Sequence, residues 1–333
     1  MKKEKGNNVR NGLAFEYAII QEYVSYFNEH GILYKINEDK AYADARSKYE
    51  LCKKSGGDLA VEGFHLAAKS SVDLLVAIEP GLCAPTSDND YILIRRMPDV
   101  RGEEGDVRDI VFERKAHNWQ CGISAKNNNN FIKHPRLSNA KNDADFLKKW
   151  KLGGKCSPQY WDVMNDVANY LLSVGSEKVD HAKAYAPALN AFMNEIRRIY
   201  SDNGKATPKQ LIRYFIGDKP FYKLIKDDDN NLLVIEAYNL SGKLNIPING
   251  VQPKFKIRKQ HYPDRIDYLD WESTYKGEKS TTTICINFNR GWEMSVRIHT
   301  AESKKNPSLK LEVSPVGNPT TLFTTHIFND FNK

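Results

Sequence analysis

Cysteine is scarce in this 333-residue sequence: Cys52, Cys83, Cys121, Cys156 and Cys285 are the whole set, with no Cys-x-x-Cys pair and no Cys/His grouping at zinc-ligand spacing. An odd and scattered set excludes a disulfide framework and a zinc finger, and predicts reduced thiols in a cytoplasmic protein. Long apolar runs are missing as well. The N-terminus, "MKKEKGNNVRNGLAFEYAII", begins with basic residues, but Glu16 interrupts its one apolar run and no small-residue cleavage site follows, so a secretory leader is not expected. No stretch approaches the length of a membrane span. There is no internal repeat, and no low-complexity tract beyond a run of asparagines at 127–130.

What remains is core material and a mild excess of positive charge. Hydrophobic residues make up 41% of the chain, enough for one large domain or two ordinary ones. Lysine and arginine outnumber the acids to give a formal charge of +7, a lean towards polyanions without a basic tail.

The first part reads as mixed. Residues 13–27, "LAFEYAIIQEYVSYF", place apolar side chains three and four apart ahead of a stop at 28–31, which predicts an amphipathic helix. Further helices are expected over 38–54 and 59–78, followed by a strand at "YILIRRM". "DIVF" and "WQCGISA" are short β-branched and aromatic runs separated by the polar "ERKAHN", a hairpin signal. Helices return over 158–172, 182–200 and 207–216, the last with Thr207 as cap and Pro208 in its first turn. From residue 221 the texture is antiparallel β: "FYKLIK" and "LLVIEAY" around "DDDNN", then "PKFKIRK", "TTTICINF", "WEMSVRIHT" and "LKLEV". The expected organisation is an α/β core over 1–155, a helical segment over 156–220 and a β-rich part over 221–333, as separate domains or one continuous domain.

The stretch with chemistry in it is "GDVRDIVFERKAHNWQCGISAKNNNNFIKHPRLS", residues 105–138. If "DIVF" and "WQCGISA" form a hairpin, Asp109 at the head of the first strand meets Lys126 at the end of the second. A carboxylate there can hold a hard cation, and an ammonium beside it can orient water and offset charge building on a phosphate. Glu113, within "ERK", is a rival acid, but four strand residues put it about 13 Å from Asp109, too far to share one ion. Asp106 is a closer competitor, since a bend before the strand brings either carboxylate to the ion. Asp109 is preferred because "DIVF" runs straight on from it.

The pattern "GDVRDIV … GISAKNNN … IKHPRLS", with "GWEMSVRIHTAESKKNPSLKLEV" near the C-terminus, resembles the HaeIII family of type II restriction endonucleases within the PD-(D/E)XK nuclease superfamily. That resemblance implies a restriction-endonuclease-like α/β (α+β) fold, a mixed sheet flanked by helices, and Mg²⁺-dependent cleavage of duplex DNA at GGCC to blunt ends with 5′-phosphates. It further implies a homodimer on a palindromic site and a companion DNA cytosine methyltransferase. Asp109 then corresponds to the first acid and Lys126 to the lysine. The backbone carbonyl of Ala125 is a further metal ligand on the same ground. Ser124 stands where the second acid usually lies, and Pro135 where the family pattern has Ser.

With a hydroxyl at 124, the missing charge has to come from elsewhere, and Glu16 is the candidate: it shares a helix face with Ile19, Ile20, Tyr23 and Phe27, where an unpaired carboxylate is costly. Pairing with a nearby Lys or Arg is the alternative for Glu16. Asn127 and Asn128 are placed for a phosphate or base edge, or form only a polar turn. Lys133, His134 and Arg136 form a basic cluster, a phosphate clamp in that setting and a solvated face otherwise. Arg297, His299, Ser308 and Lys310 match the family's "RIH … SLK" pattern and are candidate base readers. "KFKIRK" would project Lys254, Lys256 and Arg258 from one side of a strand. His117 and His134 without further partners give little support to a His-metal nuclease. A repair nuclease on the same core and a DNA-binding regulator that has lost its chemistry are the competing functional readings.

Overall fold

The computed structural model describes residues 5–98, 105–132, 135–137, 146–149, 151–174, 179–273, 276–300 and 309–329. Three helices open the chain: α1 (Lys5–Glu29), α2 (Lys40–Gly56) and α3 (Leu59–Ile78). The period of the apolar residues dictates their packing. Phe15, Ile19, Tyr23 and Phe27 on α1 and Phe64, Ala68, Val72 and Leu75 on α3 are all buried in one core. Asp39 caps α2 by accepting from the N–H of Tyr42 at 3.1 Å, and Gly57 ends it at φ 70°. The short α4 (Pro80–Cys83) follows α3.

These helices cover one face of a seven-stranded mixed sheet. Its strands are β1 (Tyr34–Ile36), β2 (Ile92–Arg96), β3 (Ile110–Arg114), β4 (Trp119–Asn127), β5 (Phe221–Asp227), β6 (Leu232–Tyr238) and β11 (Phe323–Phe328), in that spatial order. β1 runs parallel to β2 and β4 parallel to β5, and the other pairs are antiparallel. Strands from both sides of residue 220 therefore share one sheet, with β4 and β5 joined at its centre. This is the expected mixed sheet flanked by helices.

Strand alternation gives the sheet two different faces. Phe112, Cys121, Ile123, Tyr222, Leu224 and Ile235 point into the core beneath α1 and α3. Phe221 and Tyr238 point the other way into a second core. That core is built with α5 (Phe146–Lys149), α6 (Pro158–Val174), α7 (Tyr185–Asn203) and α8 (Ala206–Ile216). It is closed by a four-stranded antiparallel sheet of β7 (Ile266–Ser273), β8 (Lys279–Phe288), β9 (Glu293–Thr300) and β10 (Leu309–Gly317), ordered β10-β9-β8-β7. Ile284, Ile286, Met294, Val296, Ile298 and Leu311 give this sheet its buried face.

The "KFKIRK" strand expected from charge alternation is not formed. Asn245 takes the backbone groups that a ladder would need: its Nδ2 donates to the Phe255 carbonyl at 3.1 Å and its Oδ1 accepts from Ile257 N at 2.8 Å, leaving irregular chain. Among the described residues no helix is long and apolar enough to cross a membrane, and all five cysteines are free.

Candidate active site

The hairpin of β3 and β4 brings both ends of the 105–138 stretch together. Ile110 pairs with Ile123 and Arg114 with Trp119, so Asp109, one residue before β3, lies beside Ser124. Its backbone N–H donates to the Ile123 carbonyl at 2.7 Å. A single oxygen of its carboxylate, Oδ2, accepts three bonds: from Ala125 N at 2.7 Å, Ser124 Oγ at 3.2 Å and Lys126 Nζ at 3.3 Å. The other oxygen, Oδ1, takes none among the described residues.

A second carboxylate approaches from α1. Glu16 is buried, and its Oε2 accepts from Arg96 Nε on β2 at 2.9 Å. Arg96 is the next link, since it pairs in register with Ile110, directly after Asp109. Burial first, and then the nearby Asp109 charge, push the Glu16 carboxyl well above the ordinary carboxylate range, while Arg96 and Lys126 pull it back. A buried acid whose ionisation the Asp109 charge opposes, with the second oxygen of Asp109 and a lysine alongside, forms a place where added positive charge is stabilising.

The donor set fits a hard divalent cation. Asp109 and Glu16 supply carboxylate oxygens. Ala125 directs its N–H at Asp109, and a strand residue's N–H and C=O leave on the same edge, so its carbonyl faces the same side. Among the described residues no group of three or more His, Cys, Asp or Glu side chains converges, so such an ion would rest on two acids and a carbonyl. Ser124 is fully buried and bonded to Asp109: it orients the acid and adds no charge.

Asp106 is held elsewhere. Arg108 grips both its oxygens, from Nε at 2.7 Å and Nη2 at 2.8 Å. The arginine lies across Gly122, where an added Cβ would fall 2.0 Å from Arg108 Cδ. Glu113 faces Arg95 at 3.0 Å, away from Asp109, and His117 is bonded to Asp90 at 2.8 Å.

A family model described as HaeIII restriction endonuclease matches residues 12–319 of the chain. The chain belongs to the HaeIII restriction endonuclease family. It is also 30% identical over 322 residues to the type II restriction enzyme HaeIII of Haemophilus aegyptius, covering 94% of this chain and 95% of that relative. No solved structure matches. As a HaeIII-family member the chain is a type II site-specific deoxyribonuclease acting on double-stranded DNA.

The DNA-contact candidates fall in two places on this HaeIII-family fold. Asn127 ends β4, and its Oδ1 is buried without a hydrogen-bond partner among the described residues. Asn128, at φ 57°, clasps the β5–β6 turn: its Nδ2 donates to Asp228 Oδ2 at 2.5 Å and its Oδ1 accepts from Asp228 N at 2.8 Å. Beyond the asparagines the chain runs along β10, with Ile132 N on the Val313 carbonyl at 3.0 Å and Leu311 N on the Pro135 carbonyl at 2.8 Å. Arg136 forms a bridge pair with Lys310 there. Lys310 lies opposite His299, and Arg297 opposite Glu312, on the outer face of the second sheet. Arg297 donates to Glu312 through Nε at 2.6 Å and also through Nη2, and its guanidinium sits 5.7 Å over the Phe131 ring. Lys133, His134 and Ser308 lie outside the described residues.

Sequence reading did not find Arg96, Arg108, Lys223 or Glu236. Lys223, one of two buried lysines of β5, lies at the strand position paired with Ser124. Its only trace in the sequence is a charge inside "FYKLIK", which ordinary strand alternation also explains.

Proposed function

We propose that this enzyme is a Mg²⁺-dependent endonuclease that cuts both strands of GGCC between G and C, leaving blunt ends with 5′-phosphates. The observation that carries the chemistry is the convergence of Asp109, Glu16 and Lys126 at the shared end of β3 and β4. The base sequence rests on the likeness to HaeIII.

In this reading Asp109, Glu16 and the Ala125 carbonyl hold the ion. When bound, Mg²⁺ supplies Lewis acidity and a more acidic water for in-line attack on phosphorus. Lys126, 3.3 Å from Asp109, orients the attacking water and offsets charge developing on the phosphate oxygens. Ser124 and the Ala125 N–H hold Asp109 in one orientation, and Arg96 does the same for Glu16. Asp109 is preferred to Asp106 as the metal ligand because Arg108 occupies both oxygens of Asp106. Arg297, His299 and Lys310, with Ser308, read base edges. Arg136, Lys133, His134 and Asn127 contact the backbone. For Asn128, its clasp on Asp228 favours a loop-holding role.

A palindrome is read most economically by a two-fold homodimer, one half-site and one strand per chain. A companion cytosine methyltransferase protects the host, because a methyl on the cytosine edge fills the space a close contact requires. Enzyme and substrate meet in the cytoplasm.

The test is digestion of a fully sequenced plasmid with and without Mg²⁺, with the ends mapped by sequencing before and after GGCC methylation. Blunt ends at unmethylated GGCC alone are expected. Ends elsewhere reject the specificity, and ends formed without a divalent cation reject the metal.

A further inference from the structure

Lys223 has no exposed surface, an unusual place for a lysine, whose ammonium ordinarily faces solvent. It lies on the face of the large sheet that carries Ser124, to which it is paired in register. Its ammonium donates to the Asn130 backbone carbonyl at 2.7 Å and to the Asn130 side-chain oxygen. Glu236, its cross-strand partner on β6, lies 3.5 Å away and also accepts from Tyr238 Oη at 3.0 Å. A buried ion pair of this kind is weak support for stability, since well-packed apolar residues of like volume serve as well or better. The position is also unfavourable for a cation. Burial lowers the lysine's affinity for its proton to a pKa of about 8, and although Glu236 opposes that shift, the neighbouring Lys126 adds to it.

What the buried lysine does hold is the four-residue run between Lys126 and Phe131. Asn128 is fastened to Asp228, Asp228 in turn receives Lys226 Nζ, and Asn130 is fastened to Lys223. The run is therefore pinned at both its second and its fourth residue to β5 and the turn after it. On one side of the pins lies Lys126; on the other, Phe131 under Arg297 and the segment along β10.

We propose that Lys223 is a positioning residue: with Glu236 it clamps Asn130 and thereby fixes Lys126 relative to the sheet that carries the base-reading candidates, so that cutting depends on this buried pair and binding does not. This rests on the assignment of Lys126 to the cutting step. Displacing a catalytic group by about 1 Å can lower a rate by about 10²-fold, and that is the size of effect expected.

The test uses the full chain on one duplex that the wild type cuts. Two variants are compared: Lys223→Met/Glu236→Gln, which removes both charges without leaving either unpaired, and Asn130→Ala, which removes the side-chain acceptor of Lys223 and keeps the Asn130 backbone carbonyl and the Lys223–Glu236 pair. Single-turnover cleavage is measured in Mg²⁺, DNA affinity in Ca²⁺, and melting temperature without DNA, with Lys126→Ala as reference. The expected result is a cleavage rate lowered about 10²-fold in the double variant and about tenfold in Asn130→Ala, with affinity within about threefold of wild type. Wild-type cutting by Asn130→Ala together with a folded, fully active double variant overturns the proposal. So does a parallel loss of binding and cutting in Asn130→Ala, which would make the run a DNA contact. If the double variant does not fold, Asn130→Ala alone decides. If Lys126→Ala cuts like wild type, the assignment of Lys126 fails, a different outcome from failure of the clamp.

Discussion

At the scale of single residues, the account depends on which carboxylate does what. Asp109 keeps one oxygen clear of donors among the described residues, whereas both oxygens of Asp106 are bound to Arg108. Asp109→Ala should therefore abolish cleavage with the fold intact, because a partly exposed strand-end acid contributes little to the core. Asp106→Ala should leave the chemistry and lower the melting temperature by leaving a buried arginine unpaired, a loss of about 3 kcal/mol. Reversal of these two phenotypes in a cleavage assay with parallel thermal melts would exchange the two assignments. Glu16→Gln keeps the shape of the side chain and a partner for Arg96. It should raise the Mg²⁺ concentration needed for half-maximal cutting about tenfold or more, an effect of at least about 1.4 kcal/mol on ion binding. A metal titration that superimposes on the wild type would leave Glu16 as Arg96's structural partner alone. Glu16 was legible from sequence because an acid on an apolar helix face calls for an explanation. Its partner was not, since Arg96 stands 80 positions away at the end of β2.

Helices and strands were legible where local chemistry and tertiary packing agree. α3 spans Leu59–Ile78 as its apolar periodicity predicts, and the β3–β4 hairpin follows from two β-branched runs. "KFKIRK" failed for the opposite reason. Its alternation is that of a strand, but Asn245, 10 and 12 positions before its partners Phe255 and Ile257, supplies the hydrogen bonds that a neighbouring strand would have supplied. A long-range junction sits where α3 ends. Glu79 is fully buried and accepts from Tyr222 Oη on β5 and from Asn245 N, both at 2.6 Å. Burial raises its pKa from 4.5 to about 7, against the pull of those bonds. Below pH 4.5 the carboxyl is protonated in both folded and unfolded chains. Between pH 4.5 and 7 the unfolded chain releases the proton and the folded chain keeps it, so stability falls as pH rises, by on the order of 3 kcal/mol in all. Denaturant unfolding at pH 5 and pH 8 should show Glu79→Gln losing less stability across that interval than the wild type. An identical loss in both would remove Glu79 as the titrating group.

At the scale of the molecule, the segment after β4 links the two sheets next to the candidate site. The large mixed sheet carries Asp109 at the head of β3 and Lys126 on β4, with Glu16 reaching it from α1, the small antiparallel sheet carries Arg297, His299 and Lys310, and residues 127–132 leave the first while Ile132 and 135–137 lie along β10 of the second. No periodicity in the sequence announces that junction, because its hydrogen bonds join residues far apart in the chain, such as Asn130 with Lys223 and Ile132 with Val313. A palindromic site read by such a chain predicts two chains per duplex. Sedimentation with a short GGCC duplex in Ca²⁺ should give that ratio, and one chain per duplex would contradict the two-fold arrangement. The central claim, that the end of β3 and β4 is the cutting centre, is tested most directly by Lys126→Ala on one end-labelled duplex, with affinity measured in Ca²⁺ and single-turnover cleavage in Mg²⁺. The account predicts affinity within about threefold of wild type and cleavage slower by about 10³-fold or more, since the lysine acts on charge present only in the transition state. Cleavage at the wild-type rate, or a loss of binding as large as the loss of cutting, would contradict it.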